Sequence, residues 1–406
     1  MALPFVLSRY LRPFVKSEAS EQRLYDNGIL GRVEVLSPVQ EAVVKALWHD
    51  EHAEDQLAQL VCSQPRDVVQ AALMDLYDRA LVFESHALAD AMFQRLRDER
   101  CPEVPFVDQI ELTNHCPMRC GFCPRGIPGR MQRPTGFMDL ALFQRLLSQL
   151  NPRQREDRPL ELHHLGESLL HPQLPTFVAL ARAQGLQAEL SVNPSLLTPD
   201  RMRALLDAGI ARLVLSLDAL NDQTLVQIRG PAARYSHAEA NIAALLSEVA
   251  KRGDAAPQIV VQMIAQSANQ HEQRAFVSRF NSTGLPTVRA YLKPLDGPDP
   301  CDRHAQTEPL SYLCTYPFRS VVVLWDGRVV PCCRDDDAHA VLGDLRQQTL
   351  AEIWSGPAAR DLRRRHRSGQ FPDGHLCQSC AWSPAAFTRG HPSRHPARAR
   401  PFPLQW

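Results

Sequence analysis

In the stretch ELTNHCPMRCGFCPRG, Cys116, Cys120 and Cys123 share one short loop in a CxxxCxxC pattern. Three thiolates so spaced can bind three irons of a [4Fe-4S] cubane and leave the fourth iron open to another ligand. A structural zinc loop is the alternative. It needs a fourth nearby ligand, for which His115 and a distant cysteine are available. A second set stands toward the C-terminus: Cys314, the pair Cys332-Cys333, and Cys377-Gln378-Ser379-Cys380. Asp326-Gly327, between two apolar runs, predicts a hairpin that delivers Cys332, while the CxxC pair follows a helix. Cys314, Cys332, Cys377 and Cys380 can then converge on one metal group, either a second cubane or the zinc of a ribbon. By spacing alone Cys333 serves as well as Cys332. Cys62 and Cys101 read as small apolar side chains.

The elements that must hold these cysteines are alternating strand and helix patterns. Strands are expected near 107–112, 160–164, 187–192, 212–217, 258–264 and 287–291, separated by amphipathic segments such as 140–150, 174–183 and 199–208. Six β/α units with polar residues just after the strands predict an α/β fold, a partial (β/α)6 barrel spanning 104–295. Ahead of it, residues 1–85 form a unit of their own. Ser37 caps a helix that begins at Pro38, and Gln40 completes a capping box. Val39, Val43, Ala46 and Leu47 make its apolar stripe. A second helix is expected near 54–61 and a third near 66–80, with Val69, Leu73, Leu76 and Tyr77 on one face. Three short helices with flanking strands predict a winged helix. A polar linker helix (86–103), a Pro- and Asp-rich linker (296–310), a small cysteine-bearing domain (311–385) and a flexible tail (386–406) complete the organisation.

The chain has 406 residues, and its 45 basic and 45 acidic side chains cancel, so no global field recruits nucleic acid or an acidic membrane. The N-terminus has no extended apolar core of a signal peptide, and no run is long enough to span a bilayer. These features predict a cytoplasmic protein. Eleven cysteines in a reducing compartment point to metal or redox chemistry rather than disulfides.

The CxxxCxxC loop directly after the first barrel strand, with Phe122 just before the third cysteine, resembles the signature of the radical S-adenosyl-L-methionine (SAM) superfamily. The resemblance implies that SAM chelates the open iron through its amino and carboxylate groups. Gly166-Glu167 stands where the family has Gly-Gly-Glu-Pro, whose backbone receives the methionine amino group, although Leu165 and Ser168 depart from that pattern. Ser191-Val192-Asn193 resembles the polar segment that touches ribose, with Pro194 in place of the usual Gly. Ser216-Leu217-Asp218 followed by Arg229 resembles the serine and arginine that hold the SAM carboxylate. The C-terminal cysteines, with WDGRVVPCC, Gly343-Asp344-Leu345 and Ile353-Trp354, resemble the shortened SPASM type, often called a twitch domain, which holds one auxiliary [4Fe-4S] cluster.

These resemblances imply an enzyme in which a reduced cluster cleaves SAM and the 5′-deoxyadenosyl radical removes a hydrogen atom from substrate. Reduction calls for an external electron donor of the flavodoxin or ferredoxin type. An auxiliary cluster with four cysteine ligands suits electron transfer, so the expected net reaction is an oxidation. His163, His164 and Glu189 are candidate bases, and Cys301, in the linker, is a candidate hydrogen-atom donor for an epimerase. A winged helix is first a DNA-binding shape, and an Fe-S DNA-binding regulator is the non-enzyme alternative. Yet the third helix sets Asp67, Asp75 and Asp78 against Arg66 and Arg79, a poor surface for phosphates. The unit instead resembles the peptide-recognition domain of maturases of ribosomally made peptides, in which a leader adds a strand to a sheet edge. The expected partner is therefore a precursor peptide, with no nucleic acid and no membrane. A SAM-dependent dehydrogenase of a sugar or cyclitol alcohol is the alternative substrate class.

Overall fold

The computed structural model describes residues 6–7, 11–16, 23–27, 32–47, 65–78, 81–83, 88, 91–92, 95, 97–98, 101–154, 159–295 and 314–380, with the first four strands, Arg66, Pro294 and Ser379 described as backbone only. The helix expected near 54–61, Cys62, Arg79, the 296–310 linker with Cys301 and the 386–406 tail lie outside the described residues. The chain divides into two compact units, one of residues 1–102, 308–318 and 363–405 and one of residues 103–307 and 319–362.

In the first unit, β1 (Val6–Leu7) pairs antiparallel with β5 (Val82–Phe83). Between them in sequence, β2 (Leu11–Lys16), β3 (Arg23–Asn27) and β4 (Arg32–Val35) form an antiparallel sheet in the order β2-β3-β4. The capping box forms as expected. Gln40 N–H donates to Ser37 Oγ at 3.3 Å, and Ser37 N–H donates to Gln40 Oε1 at 2.8 Å. This fixes the start of the helix Pro38–Ala46. Its Val43 and Val44, with Leu47, pack against Val69, Leu73 and Leu76 of the helix Arg66–Asp78 and against Leu81 and Val82. Each such side chain contributes about 1.5–3 kcal/mol when fully buried. Tyr77, expected on that apolar face, is instead exposed.

In the second unit six parallel strands follow one another in order: β6 (Phe106–Ile110), β7 (Leu160–Glu161), β8 (Ala188–Val192), β9 (Arg212–Ser216), β10 (Gln258–Ala265) and β11 (Val288–Pro294). This is the partial barrel that the alternating pattern predicts. Leu190, Leu213, Leu215, Ile259 and Val261 are fully buried, as strand residues packed under helices must be. One register across the sheet is polar. Gln109, Glu161, Glu189, Arg212 and Gln258 line up in register across five strands. Gln109 donates to Glu161 at 2.9 Å, and Arg212 to Glu189 at 2.9 Å.

The expected hairpin forms at Asp326-Gly327, with Gly327 at φ +97°. Its strands, β12 (Ser320–Val323) and β13 (Arg328–Val330), do not form a separate sheet. β12 pairs parallel with β6, so the barrel sheet runs on through β13 to β14 (Gly343–Asp344), nine strands in all among the described residues. A buried ion pair secures this join. Arg133 donates to Glu111 through both terminal nitrogens, one at 2.6 Å, and its Nε donates to Asp336 O at 2.8 Å. Asp337 Oδ1 accepts from Gln132 N–H and Arg133 N–H at 2.8 Å each, and Arg130 Nε reaches Asp336 Oδ2 at 2.8 Å. Glu111 is 0% exposed, and burial raises its pKa despite Arg133.

Breaking a buried pair from one side strands the other charge, at about 3–5 kcal/mol. Glu111→Gln is expected to lower the thermal unfolding midpoint of the protein, measured anaerobically by circular dichroism. The double variant Glu111→Gln/Arg133→Met is expected to regain part of that loss.

Candidate functional site

The cysteine loop follows β6 and is fastened at both ends. At its base, Thr113 Oγ1 donates to Gly136 O at 2.6 Å, and Asn114 exchanges hydrogen bonds with Pro134 O and Gly136 N–H at 2.9 and 3.0 Å. Along the loop, Cys123 N–H donates to Cys120 O at 3.0 Å and Gly126 N–H to Cys123 O at 2.8 Å. A Cβ on Gly126 would stand 2.1 Å from Cys120 O, so only glycine allows this turn. The loop also hangs from the end of the helix Asp222–Arg229. Arg119 N–H donates to Arg229 O at 3.0 Å and Gly121 N–H to Ile228 O at 3.3 Å. The carbonyls of a last helical turn have no partner within their helix and are open to such bonds.

Several of the residues matched to SAM-binding positions are tied to this loop: Gly166, Glu167 and Arg229 directly, and Asn193 and Asp218 through them. Gly166 has φ +94°, and a Cβ there would lie 2.3 Å from Thr113 O. Glu167 N–H donates to His115 O at 2.8 Å, while the Glu167 carboxylate accepts from Leu169 N–H at 3.1 Å and Asn193 N–H at 2.8 Å. Burial pushes the Glu167 carboxyl up to about 7. Ser191 and Ser216 share a hydrogen bond at 3.2 Å. Asp218, fully buried, accepts from Arg229 Nε at 2.7 Å and from Ile264 N–H at 2.8 Å. Arg229 is thus held by a carboxylate of the chain. Burial opposes its charge, but Asp218 and then Cys120 raise its pKa. Phe122 is half-buried.

Two observations test whether SAM and its cluster fit. Burial pushes the Cys116 thiol up to about 11 and Cys120 to about 12, and raises Cys123 too. The protein alone opposes these thiolates; bound iron would favour them. Asn193 is 5% exposed, with Oδ1 accepting from Ser195 N–H and Oγ, yet its Nδ2 has no partner among the described residues. Such a buried donor costs about 1–3 kcal/mol unless a ligand accepts from it.

In the C-terminal set Cys332 is buried and Cys333 exposed, a distinction that spacing did not make. Cys314, Cys377 and Cys380 belong to the first unit and Cys332 to the second. Cys377 N–H donates to His375 Nδ1 at 3.1 Å. Cys101, expected as core filler, is only half-buried. Among the described residues no three His, Cys, Asp or Glu side chains gather as they would around a single metal ion. A cubane does not require it, because each thiolate binds a different iron.

Of the candidate bases, Glu189 is committed to Arg212. His163 Nδ1 accepts from Ser191 N–H at 3.2 Å, and burial lowers its pKa. His164 bonds Gln109 Oε1 at 2.8 Å, and burial pushes its pKa down to about 3. Sequence reasoning passed over Glu161, the carboxylate that Gln109 and His163 approach at 2.9 and 3.5 Å. It also passed over Gly126, although a glycine three residues after the last cysteine was there to be read.

Residues 110–251 match the family model of the Radical SAM superfamily, and residues 314–381 match SPASM, an iron-sulfur cluster-binding domain. The chain is an enzyme of the radical SAM class. Its cofactors are SAM, a [4Fe-4S] cluster and an auxiliary cluster in the SPASM domain. The radical SAM enzyme is 22% identical over 274 residues to the S-adenosyl-L-methionine-dependent 2-deoxy-scyllo-inosamine dehydrogenase of Niallia circulans, covering 67% of this chain and 91% of that protein. It is 24% identical over 284 residues to the PqqA peptide cyclase of Gluconobacter oxydans, covering 63% and 77%. Among solved structures, Streptococcus suis SuiB bound to S-adenosylmethionine matches with a TM-score of 0.50 at 11% identity, over 93% of each chain, and so shares the fold. No helix among the described residues is long and apolar enough to cross a membrane.

Two cubanes give about eight irons per chain after anaerobic reconstitution. Replacing Cys116, Cys120 and Cys123 with Ala is expected to leave about four and to abolish 5′-deoxyadenosine. Gly126→Ala is expected to lower iron content toward the same value.

Proposed function

We propose that this enzyme oxidises a ribosomally made precursor peptide, forming a crosslink or a dehydrogenated residue. In this reading Cys116, Cys120 and Cys123 hold the SAM cluster, with Gly166, Glu167, Ser191, Asn193, Ser216, Asp218 and Arg229 around SAM. Cys314, Cys332, Cys377 and Cys380 hold the auxiliary cluster. When bound, SAM and its reduced cluster supply a 5′-deoxyadenosyl radical that removes a substrate hydrogen atom. The chain's own residues do the rest. Glu167 ties the cysteine loop to the ends of β7 and β8, Asp218 fixes Arg229, and Glu161, oriented by Gln109, offers a carboxylate to bind substrate and take its proton.

The observation that carries the peptide reading is the antiparallel sheet β2-β3-β4 ahead of the barrel, whose outer edges pair with no other strand among the described residues. An edge of this kind can add a peptide strand through backbone hydrogen bonds. Exposed Asp67, Asp75 and Asp78 on the helix Arg66–Asp78 disfavour nucleic acid. The relatives that include the PqqA peptide cyclase support the same substrate class. The match to 2-deoxy-scyllo-inosamine dehydrogenase favours a second reading, oxidation of a small-molecule alcohol, but leaves about a third of this chain outside it. The electron donor would be of the flavodoxin or ferredoxin class.

Anaerobic co-expression with each short open reading frame beside the gene tests the proposal by mass spectrometry. One encoded peptide is expected to become lighter by two hydrogens, and Cys116→Ala to prevent it. A peptide that instead gains one solvent deuterium without that loss indicates epimerisation. Oxidation of 2-deoxy-scyllo-inosamine, with every peptide unchanged, favours the small-molecule reading.

A further inference from the structure

The unit that carries Cys314, Cys377 and Cys380 holds buried cations that the chemistry above does not use. Arg97 is 6% exposed, and its guanidinium lies 3.7 Å over the ring of Phe318, four residues after Cys314. Arg367, from the basic helix Pro357–Ser368, lies 5.2 Å from the same ring. Arg363 of that helix donates from Nε to Pro317 O at 2.8 Å, fixing the turn that follows Cys314. Asp98 stands 3.5 Å from Arg97 and 2.8 Å from Arg367, so one carboxylate faces two guanidinium groups. Burial lowers the pKa of Arg97, Asp98 opposes that, and Cys314 lies near enough to act in the same direction as Asp98.

His366 completes the group. It is 2% exposed, and neither ring nitrogen has a hydrogen-bond partner among the described residues. Its ring meets Phe371 edge-on at 5.0 Å, and Phe371 lies 5.2 Å from His375, whose Nδ1 accepts from Cys377 N–H. A buried imidazole with neither nitrogen bonded calls for a group that accepts its N–H, and a buried guanidinium favours negative charge nearby. A [4Fe-4S] core with four thiolates carries a net charge of about −2 and presents sulfur acceptors.

We infer that Arg97 tunes the auxiliary cluster: seated on Phe318, four residues after Cys314, its positive charge offsets the cluster's negative charge and keeps the reduction potential high enough for the cluster to accept an electron. The inference rests on the reading that Cys314, Cys377 and Cys380 bind that cluster. Its physical basis is that the added electron makes the cluster more negative, so a fixed cation stabilises the reduced form more than the oxidised one. A purely structural Arg97, stacked on Phe318, would contribute packing and no such difference.

The test uses the full chain with Cys116, Cys120 and Cys123 replaced by Ala, so that the auxiliary cluster is measured alone. Redox titration followed by electron paramagnetic resonance gives its midpoint potential, and iron analysis gives its occupancy. Arg97→Met, which keeps an aliphatic stem on Phe318, is expected to hold about four irons and to shift the midpoint to a more negative value. Arg97→Lys is expected to stay near the parent. An unchanged midpoint in a fully loaded Arg97→Met overturns the inference. If Arg97→Met loses its iron, Arg97→Lys decides: retained iron with the parent midpoint supports the charge, and loss of iron in both variants assigns Arg97 to packing and overturns it. Zinc in place of iron in the parent would overturn the reading of the site itself, and the role of Arg97 with it.

Discussion

A cysteine sulfur binds iron as a thiolate, and burial works against the thiolate. The loop after β6 lives under that constraint, because Cys120 is buried and all three of its thiols are pushed upward. The structure answers with a loop whose backbone is tied down by the chain's own hydrogen bonds. Gly126 closes the turn against Cys120 O, and the carbonyls of Ile228 and Arg229 take the N–H groups of Gly121 and Arg119. Arg229 also places its guanidinium near Cys120 and Cys116, lowering the cost of their negative charge. Asp218 holds that guanidinium in place and is itself held by Ile264 N–H. One helix end therefore serves the loop twice, through its backbone and through its last side chain.

The same logic explains how much the sequence disclosed. The CxxxCxxC spacing, the capping box at Ser37 and the six alternating strand patterns are local features, and local features survive as patterns of residue type. What escaped was long-range. Arg133 meets Asp336 across 203 positions, and neither residue carries a signal of the other. β12 was expected within a separate small domain and instead pairs with β6, because register between distant strands depends on packing that no window reveals. Tyr77 sits at a helical spacing that suits the core, yet the stripe formed by Val69, Leu73 and Leu76 closes without it.

The continuation of the barrel sheet through β12 has its own physical reason. The first strand of an open parallel sheet leaves a row of backbone groups unpaired unless something covers it. Here β12 covers the edge of β6, with Phe106 N–H bonded to Arg319 O and Glu111 N–H to Val323 O. Trp325 follows at the end of that strand and lies flat against Gly136, where any Cβ would come within 2.3 Å of its ring. The segment leading to Cys332 is thus anchored to the strand that leads to Cys116. Two cysteine segments far apart in sequence are held by one sheet.

Substrate identity is the least readable part, for a related reason. Cofactor chemistry demands particular residue types at fixed spacings, whereas a substrate surface is written in side chains spread across several strands. Gln109, Glu161, Glu189, Arg212 and Gln258 come from five different strands and form one band only after the sheet is built. Within that band Arg212 neutralises Glu189, while Gln109 and His163 approach Glu161. Two carboxylates that look alike in sequence therefore acquire different duties. One is bound into the wall by a guanidinium, and the other is held by the Gln109 amide with the His163 imidazole beside it, a difference that only the register between distant strands creates.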